Sequence, residues 1–115
     1  MKIVLDTSSI LFAYENKIDP FELLKESGYK PIISRGILDE LKRIADSKSK
    51  KSGYAKIALK EINEKDIEIE ESNEYPDLWI LKKGIKACTN DKELKNKLKK
   101  RGIPVISIAI GGKLR

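Results

Sequence analysis

An apolar, β-branched run, Lys2 to Leu5, ends directly on Asp6, and that order of residues leaves few folds open. A run of this kind forms a strand buried on both faces, the type found in parallel sheets covered by helices. Open sheets of that type build their sites just outside the carboxyl ends of their strands, where Asp6 falls. A carboxylate placed there needs hydrogen bonds, a cation or both, because burying it unpaired is costly. Thr7, Ser8 and Ser9 bring hydroxyls and backbone N–H groups to what reads as a helix start. Asp6 therefore has two readings, the N-cap of that helix or a member of a functional site.

Length and charge narrow the class. A chain of 115 residues makes one domain, residues 1–115, with one real core. The charged fraction is 37%, well above average but mixed in sign, so it implies a solvated surface rather than disorder. The net charge of +6 favours an anionic partner such as nucleic acid. Abundant Lys, Glu and Ile without Gln lean towards a thermophile's composition. Cys88 is the only cysteine, which excludes an internal disulfide and makes a reducing cytoplasm the natural compartment. The chain has no long apolar window, so no membrane segment is expected. With no histidine, Ser-His-Asp and Cys-His triads, His-ligated zinc and a histidine base are all excluded. Carboxylates working with a hard divalent cation lead what remains.

Taken in order, the chain alternates short apolar runs with helix-length amphipathic stretches. A helix from Ser8 or Ser9 to about Lys17 is followed by Asp19-Pro20, the N-cap and first residue of a second helix stopped by Gly28. Pro31 to Ile33 reads as a second strand. A third helix to Asp46 buries Ile37, Leu38, Leu41, Ile44 and Ala45, with Asp39 opposite that stripe and Glu40 on its flank. Ser47 to Gly53 reads as a mobile basic loop. A fourth helix follows, with Ile57, Ala58 and Ile62 on one side. Asp66 to Glu70 alternates as an edge strand. Pro76 opens a fifth helix with Asp77 in its first turn and Leu78 to Leu81 mainly in the core. Ile85 to Thr89 is the fourth strand. Asn90 and Glu93 have capping-box spacing at the start of a last helix, and Pro104 to Ile110 is the fifth strand, ahead of a short tail. The pattern βααβααβαβαβ predicts a three-layer α/β/α fold with a mainly parallel five-stranded sheet.

Asp6 and Asp91 follow strands, Asp77 opens the helix after the third strand, and Glu40 lies on the helix after the second. Each has a bland reading: a cap for Asp6, a helix-dipole partner for Asp77, a boundary residue for Glu40. Together, four acids with access to one sheet edge repel unless a cation compensates, which predicts Mg²⁺ or Mn²⁺ bound partly through water. Such an ion activates water and stabilises charge on a phosphate under attack. An acidic metal pocket on a basic surface suits a phosphodiester, the cations holding its backbone.

KIVLDTSSI, ILDEL, PDLWIL and ACTNDKELKNKLKKRGIPVI, which together span almost the whole chain, resemble the PIN-domain family. These metal-dependent ribonucleases include ribosomal-RNA processing enzymes and the VapC toxins, and the last segment resembles the archaeal and rRNA-processing type. The resemblance implies strand order 3-2-1-4-5, with Asp6, Glu40, Asp77 and Asp91 at the family's acidic positions. It makes Thr7 or Ser8, and Thr89 with Asn90, the polar residues that order the site. It also implies hydrolysis of RNA, rRNA or tRNA among the targets, to a 5′-phosphate and a 3′-hydroxyl. Many relatives carry adjacent acids where this chain has Pro76-Asp77. Lys48, Lys50 and Lys51, with Lys92 and Lys95 of the last helix, are candidates for RNA backbone contacts, their bland reading being a solvated surface. The rival function is a module that binds RNA or a ribosome-assembly partner without cutting. A homodimer or an antitoxin partner stays open. Phosphatase and receiver domains also place Asp after strand one, but this chain has Ser8 where the first needs a second Asp, and lacks the paired acids of the other. A nucleotide-binding reading lacks its Gly-rich loop.

Overall fold

The computed structural model describes all 115 residues. Along the chain run β1 (Lys2–Leu5), α1 (Thr7–Glu15), α2 (Pro20–Glu26), β2 (Lys30–Ser34), α3 (Arg35–Asp46), α4 (Ser52–Glu64) and β3 (Glu68–Glu70). They are followed by α5 (Pro76–Lys83), β4 (Ala87–Cys88), α6 (Lys92–Lys100), β5 (Val105–Ile106), β6 (Ile108–Ala109) and β7 (Lys113–Leu114). β1 to β5 form one parallel sheet of order β3-β2-β1-β4-β5. This is the expected α/β architecture and strand order.

β1 is the central strand because it is apolar on both faces: Ile3, Val4 and Leu5 are fully buried. It pairs Val4 with Ile32 on one side and Leu5 with Cys88 on the other. The next ladder bond, from the Asp6 N–H to the Cys88 carbonyl at 3.0 Å, holds Asp6 alongside the end of β4. At the edge, β3 is three residues long, and its Glu68 accepts from both Lys2 and Lys30 at 3.2 Å. A short, charged edge strand discourages pairing with another chain. One cluster of 24 buried hydrophobic residues forms the core. Helix α3 contributes Ile37, Leu38, Leu41 and Ala45 to it and packs as a hairpin against α4. Truncating such a buried aliphatic to Ala costs ~2–5 kcal/mol.

Four local expectations are corrected. Ile57 and Leu78 are 46% and 42% exposed, since α4 buries Ala55, Ala58 and Ile62, and α5 buries Trp79 and Ile80. The third strand starts at Glu68, because Asp66 takes a left-handed conformation (φ 52°) that closes α4 and cannot continue as strand. The loop after α3 ends at Lys51, because α4 already begins at Ser52, and Ser47 to Lys51 forms a hydrogen-bonded turn at the tip of the α3–α4 hairpin. The Ser47 hydroxyl donates to the Ile44 carbonyl at 2.6 Å, and the Ser47 and Ser49 hydroxyls accept from the N–H groups of Ser49 and Lys51. The fifth strand breaks at Ser107, and the remainder folds back as an antiparallel β6–β7 hairpin. The break follows from Asn90, whose amide takes both backbone groups of Ile108. Its Nδ2 donates to the Ile108 carbonyl at 2.8 Å and its Oδ1 accepts from the Ile108 N–H at 3.1 Å.

Candidate metal centre

Asp6 occupies the N-cap position of α1 with extended backbone, but its side chain makes no capping bond. Its Oδ2 instead accepts two short hydrogen bonds, from Ser8 Oγ at 2.6 Å and from Thr89 Oγ1 at 2.7 Å. Oδ1 accepts none from the protein, although the residue is only 5% exposed. Burial pushes the Asp6 carboxyl pKa above the ordinary aspartate range; the two hydroxyls pull it down, and the charges of Glu40 and Asp91 push it up again. Ionised Asp6 is thus oriented by hydroxyls yet undercompensated in charge.

The hydroxyls that hold Asp6 belong to a latch joining the start of α1 to the segment after β4. Ser8 Oγ accepts from the Asn90 N–H at 3.0 Å, Ser9 Oγ donates to Asn90 Oδ1, and Thr89 Oγ1 accepts from the Asp91 N–H at 3.1 Å. Ser107 supports it from the break between β5 and β6, its hydroxyl donating to the Thr89 carbonyl at 2.7 Å. Ser107 was missed in the sequence because a lone Ser among isoleucines reads as an ordinary strand position. Of the polar residues named above, Ser8, Thr89 and Asn90 join this network. Thr7 does not: its buried Oγ1 has no hydrogen-bond partner.

Asp91 is the N-cap of α6. Its Oδ1 accepts from the N–H groups of Glu93 and Leu94 at 2.9 and 3.1 Å, so the expected capping box led by Asn90 is replaced by a cap one residue later. Asn90 is unavailable to cap because its amide is spent on Ser9 and Ile108. Asp91 and Asp6 therefore share a design, one carboxylate oxygen engaged with the protein and the other without a donor. Asp77 is exposed in the first turn of α5, and its carboxyl is pushed up by partial burial and by the charges of Asp6 and Asp91, with Lys97 opposing. Glu40, half-buried on α3, is close enough to Asp6 to raise its pKa.

These four acids thus act on one another electrostatically, and none of them takes part in a salt bridge. They are not drawn into a closed cage, as no three acidic or cysteine side chains converge tightly enough to wrap one ion. Free oxygens on two oriented aspartates, with two further carboxylates standing off, suit a small hard ion that keeps most of its water. Mg²⁺ is held in that way, through one or two carboxylates. Cys88, buried beneath the latch with its thiol pushed up to about 12 by burial, is a packing residue and not a nucleophile. A separate hollow of about 480 Å³, lined by Met1, Phe21, Tyr29 and Lys65 among others, lies where the strands begin, at the other end of the sheet.

Lys48, Lys50 and Lys51 stand at the exposed hairpin tip, Lys92 is exposed in the first turn of α6, and Lys95 is half-buried one turn on. Lys97 acts on Asp77 electrostatically; only its helix, not its number, was singled out by the sequence.

Fold and site together define an α/β domain that carries a carboxylate centre over the carboxyl ends of two adjacent parallel strands. Residues 3–110 match the family model described as PIN like domain, and the chain belongs to that family. It is 37% identical over 106 residues to Ribonuclease VapC9 of Archaeoglobus fulgidus, covering 89% of this chain and 78% of that protein. It is 30% identical over 118 residues to Ribonuclease VapC4 of Methanocaldococcus jannaschii, covering 93% and 89%. Among solved structures it is similar to the PIN domain endonuclease Utp24, with a TM-score of 0.77 at 30% identity over 99% of this chain and 89% of that one. No helix of the chain is long and apolar enough to cross a membrane.

Proposed function

We propose that this protein is a divalent-metal-dependent endoribonuclease that hydrolyses RNA phosphodiester bonds with Mg²⁺ or Mn²⁺. The observation that carries the reading is Asp6, a buried carboxylate with one oxygen fixed by two hydroxyls and the other free, beside acids that form no salt bridge. The ribonuclease and endonuclease relatives support the same chemistry. Asp6 and Asp91 would hold the ion directly, with Asp77 and Glu40 acting on its water. Bound there, the ion supplies a more acidic water and offsets charge that builds on the phosphate.

The chain's own part is orientation and exclusion. Ser8 and Thr89 fix the Asp6 carboxylate plane, Asn90 and Ser9 fix the loop that carries Thr89, and the amino ends of α1 and α6 offset negative charge. Lys92, Lys95 and the hairpin-tip lysines would take the RNA backbone, in the cytoplasm. Incubation of the purified protein with structured RNA and Mn²⁺ tests the reading. Cleavage is expected, abolished by EDTA and reduced more than about 100-fold in Asp6→Asn, since even residues that only orient a ligand cost ~10–100-fold. Cleavage that survives in Asp6→Asn would sink the assignment. RNA binding without cleavage would favour the non-cutting module.

The likeness to Ribonuclease VapC9 and Ribonuclease VapC4 favours, as a second reading, a toxin ribonuclease restrained by an antitoxin, against the rRNA-processing role that the resemblance of the last segment implies. Growth arrest on expression in a heterologous host, relieved by Asp6→Asn, is the outcome expected of a toxin. Unimpaired growth with active nuclease points to processing.

A further inference from the structure

Tyr75 is the only aromatic side chain of the chain that is mostly exposed, at 84%. It sits at the N-cap position of α5, immediately before Pro76 and Asp77, so it stands at the rim of the acidic centre. Its mount is stiff. The Tyr75 carbonyl accepts from the Trp79 N–H at 3.0 Å, and the proline that follows fixes the entry to the helix. Upstream, Arg35 Nη2 pairs with Glu71 Oε1 at 2.6 Å, the Glu74 N–H donates to Ser72 Oγ at 3.1 Å, and Lys82 pairs with Glu74 at 2.8 Å. The Glu74 carbonyl also presses on α3 at Gly36, where a Cβ would come within 3.0 Å of it. Gly36 lies one helical turn before Glu40, so the backbone leading into Tyr75 bridges the two helices that carry Glu40 and Asp77. Leu78, three residues on in the first turn of α5, is also exposed, at 42%. An aromatic ring held in water on a fixed mount, beside a site built for phosphate chemistry, has the form of a stacking platform. Unpaired bases stack on such rings, and bases inside a duplex are out of reach.

We propose that Tyr75, extended by Leu78, stacks a nucleobase of the RNA next to the phosphate at the acidic centre and so sets the register of the strand there. This rests on the endoribonuclease reading above. In that arrangement lysines hold the backbone, Tyr75 holds a base, and together they set which bond lies over Asp6 and Asp91.

The test measures binding of a fluorescent single-stranded oligoribonucleotide in EDTA, which keeps the RNA intact, and cleavage of the same RNA with Mn²⁺. Tyr75→Ala is expected to weaken binding roughly 5- to 100-fold and to raise KM more than it lowers kcat, while Tyr75→Phe and Tyr75→Trp stay within about threefold of wild type. One abasic nucleotide, moved along the oligonucleotide, should reach a position where it weakens wild-type binding by the same factor and leaves Tyr75→Ala unaffected. Equal affinity of Tyr75→Ala and wild type, with unchanged melting temperature, overturns the proposal, as do abasic losses that simply add to the substitution. The two readings fail separately: Asp6-dependent cleavage indifferent to Tyr75 removes only the stacking role. Tyr75-dependent binding without any cleavage removes only the nuclease.

Discussion

At the scale of single residues, the tension in this protein is between what Asp6 costs and what it is for. Its carboxyl pKa is raised by burial first and by Glu40 and Asp91 next, and that of Asp77 is raised for similar reasons. Between the ordinary aspartate pKa of ~3.9 and the raised folded-state values, the native protein binds more protons than the unfolded chain, so stability falls as pH rises through that window. Above it, ionised Asp6 opposes folding in full. Asp6→Asn should therefore melt higher than the wild type at pH 7 without divalent ions, and the gap should close as pH falls towards 4. Mn²⁺ should reverse the order by stabilising only the wild type, about 2.7 kcal/mol at 100 times its Kd. Thermal melts of both proteins over pH 4–8, with and without Mn²⁺, decide this; an Asp6→Asn protein less stable than wild type at pH 7 in EDTA is the contrary result. The position of Asp6 was readable from the abrupt end of an apolar run. Its role was not, because cap and ligand call for the same residue type, and only the tertiary approach of Thr89 gives its side chain another partner.

At the scale of elements, Asp91 opens α6 and, in the proposed site, would also supply an acid. Asp91 caps the helix with Oδ1 and leaves its other oxygen without a protein donor. Substitution can separate the roles, since Asn caps as well as Asp but lacks the charge. Asp91→Ala is expected to lose ~0.5–2 kcal/mol of stability together with activity, whereas Asp91→Asn keeps the stability within a few tenths and still loses activity. Denaturant melts run beside the cleavage assay check this, and equal destabilisation by both changes would contradict the division. The helix itself was legible from Leu94 and Leu98, but its first residue was not. Asn90 and Asp91 are comparable caps, and the choice between them is made by Ile108, eighteen residues on, which claims the Asn90 amide. The same contact hides the end of β5, because nothing local distinguishes Ser107 from a strand residue.

At the scale of the molecule, two opposite fields share one surface. The chain carries +6 overall, yet the mouth above β1 and β4 gathers Asp6, Glu40, Asp77 and Asp91 without a salt bridge among them. The layered fold was legible because short apolar runs and helix-length connections permit little else, while the strand order came through the resemblance rather than from any periodicity. Charge placement is the part that composition cannot give: a count of lysines does not say which of them flank the acids. Lys92 and Lys95 do so from α6, and Lys48, Lys50 and Lys51 stand at the exposed hairpin tip, whereas Lys25 and Lys30 line the hollow at the opposite end. If the first five hold the RNA backbone, affinity should fall with salt in proportion to the phosphates they neutralise. Replacing Lys92 and Lys95 by Ala should flatten the log Kd against log salt slope by ~1.4, and replacing the three tip lysines by ~2, at ~0.7 per contact on a single strand. Lys25→Ala with Lys30→Ala removes as much charge as the α6 pair but makes no phosphate contact, and should leave the slope within about 0.3 of wild type. Anisotropy titrations from 50 to 300 mM salt measure all three. Equal flattening by the α6 pair and the control pair would mean that net charge, and not these lysines, attracts the RNA.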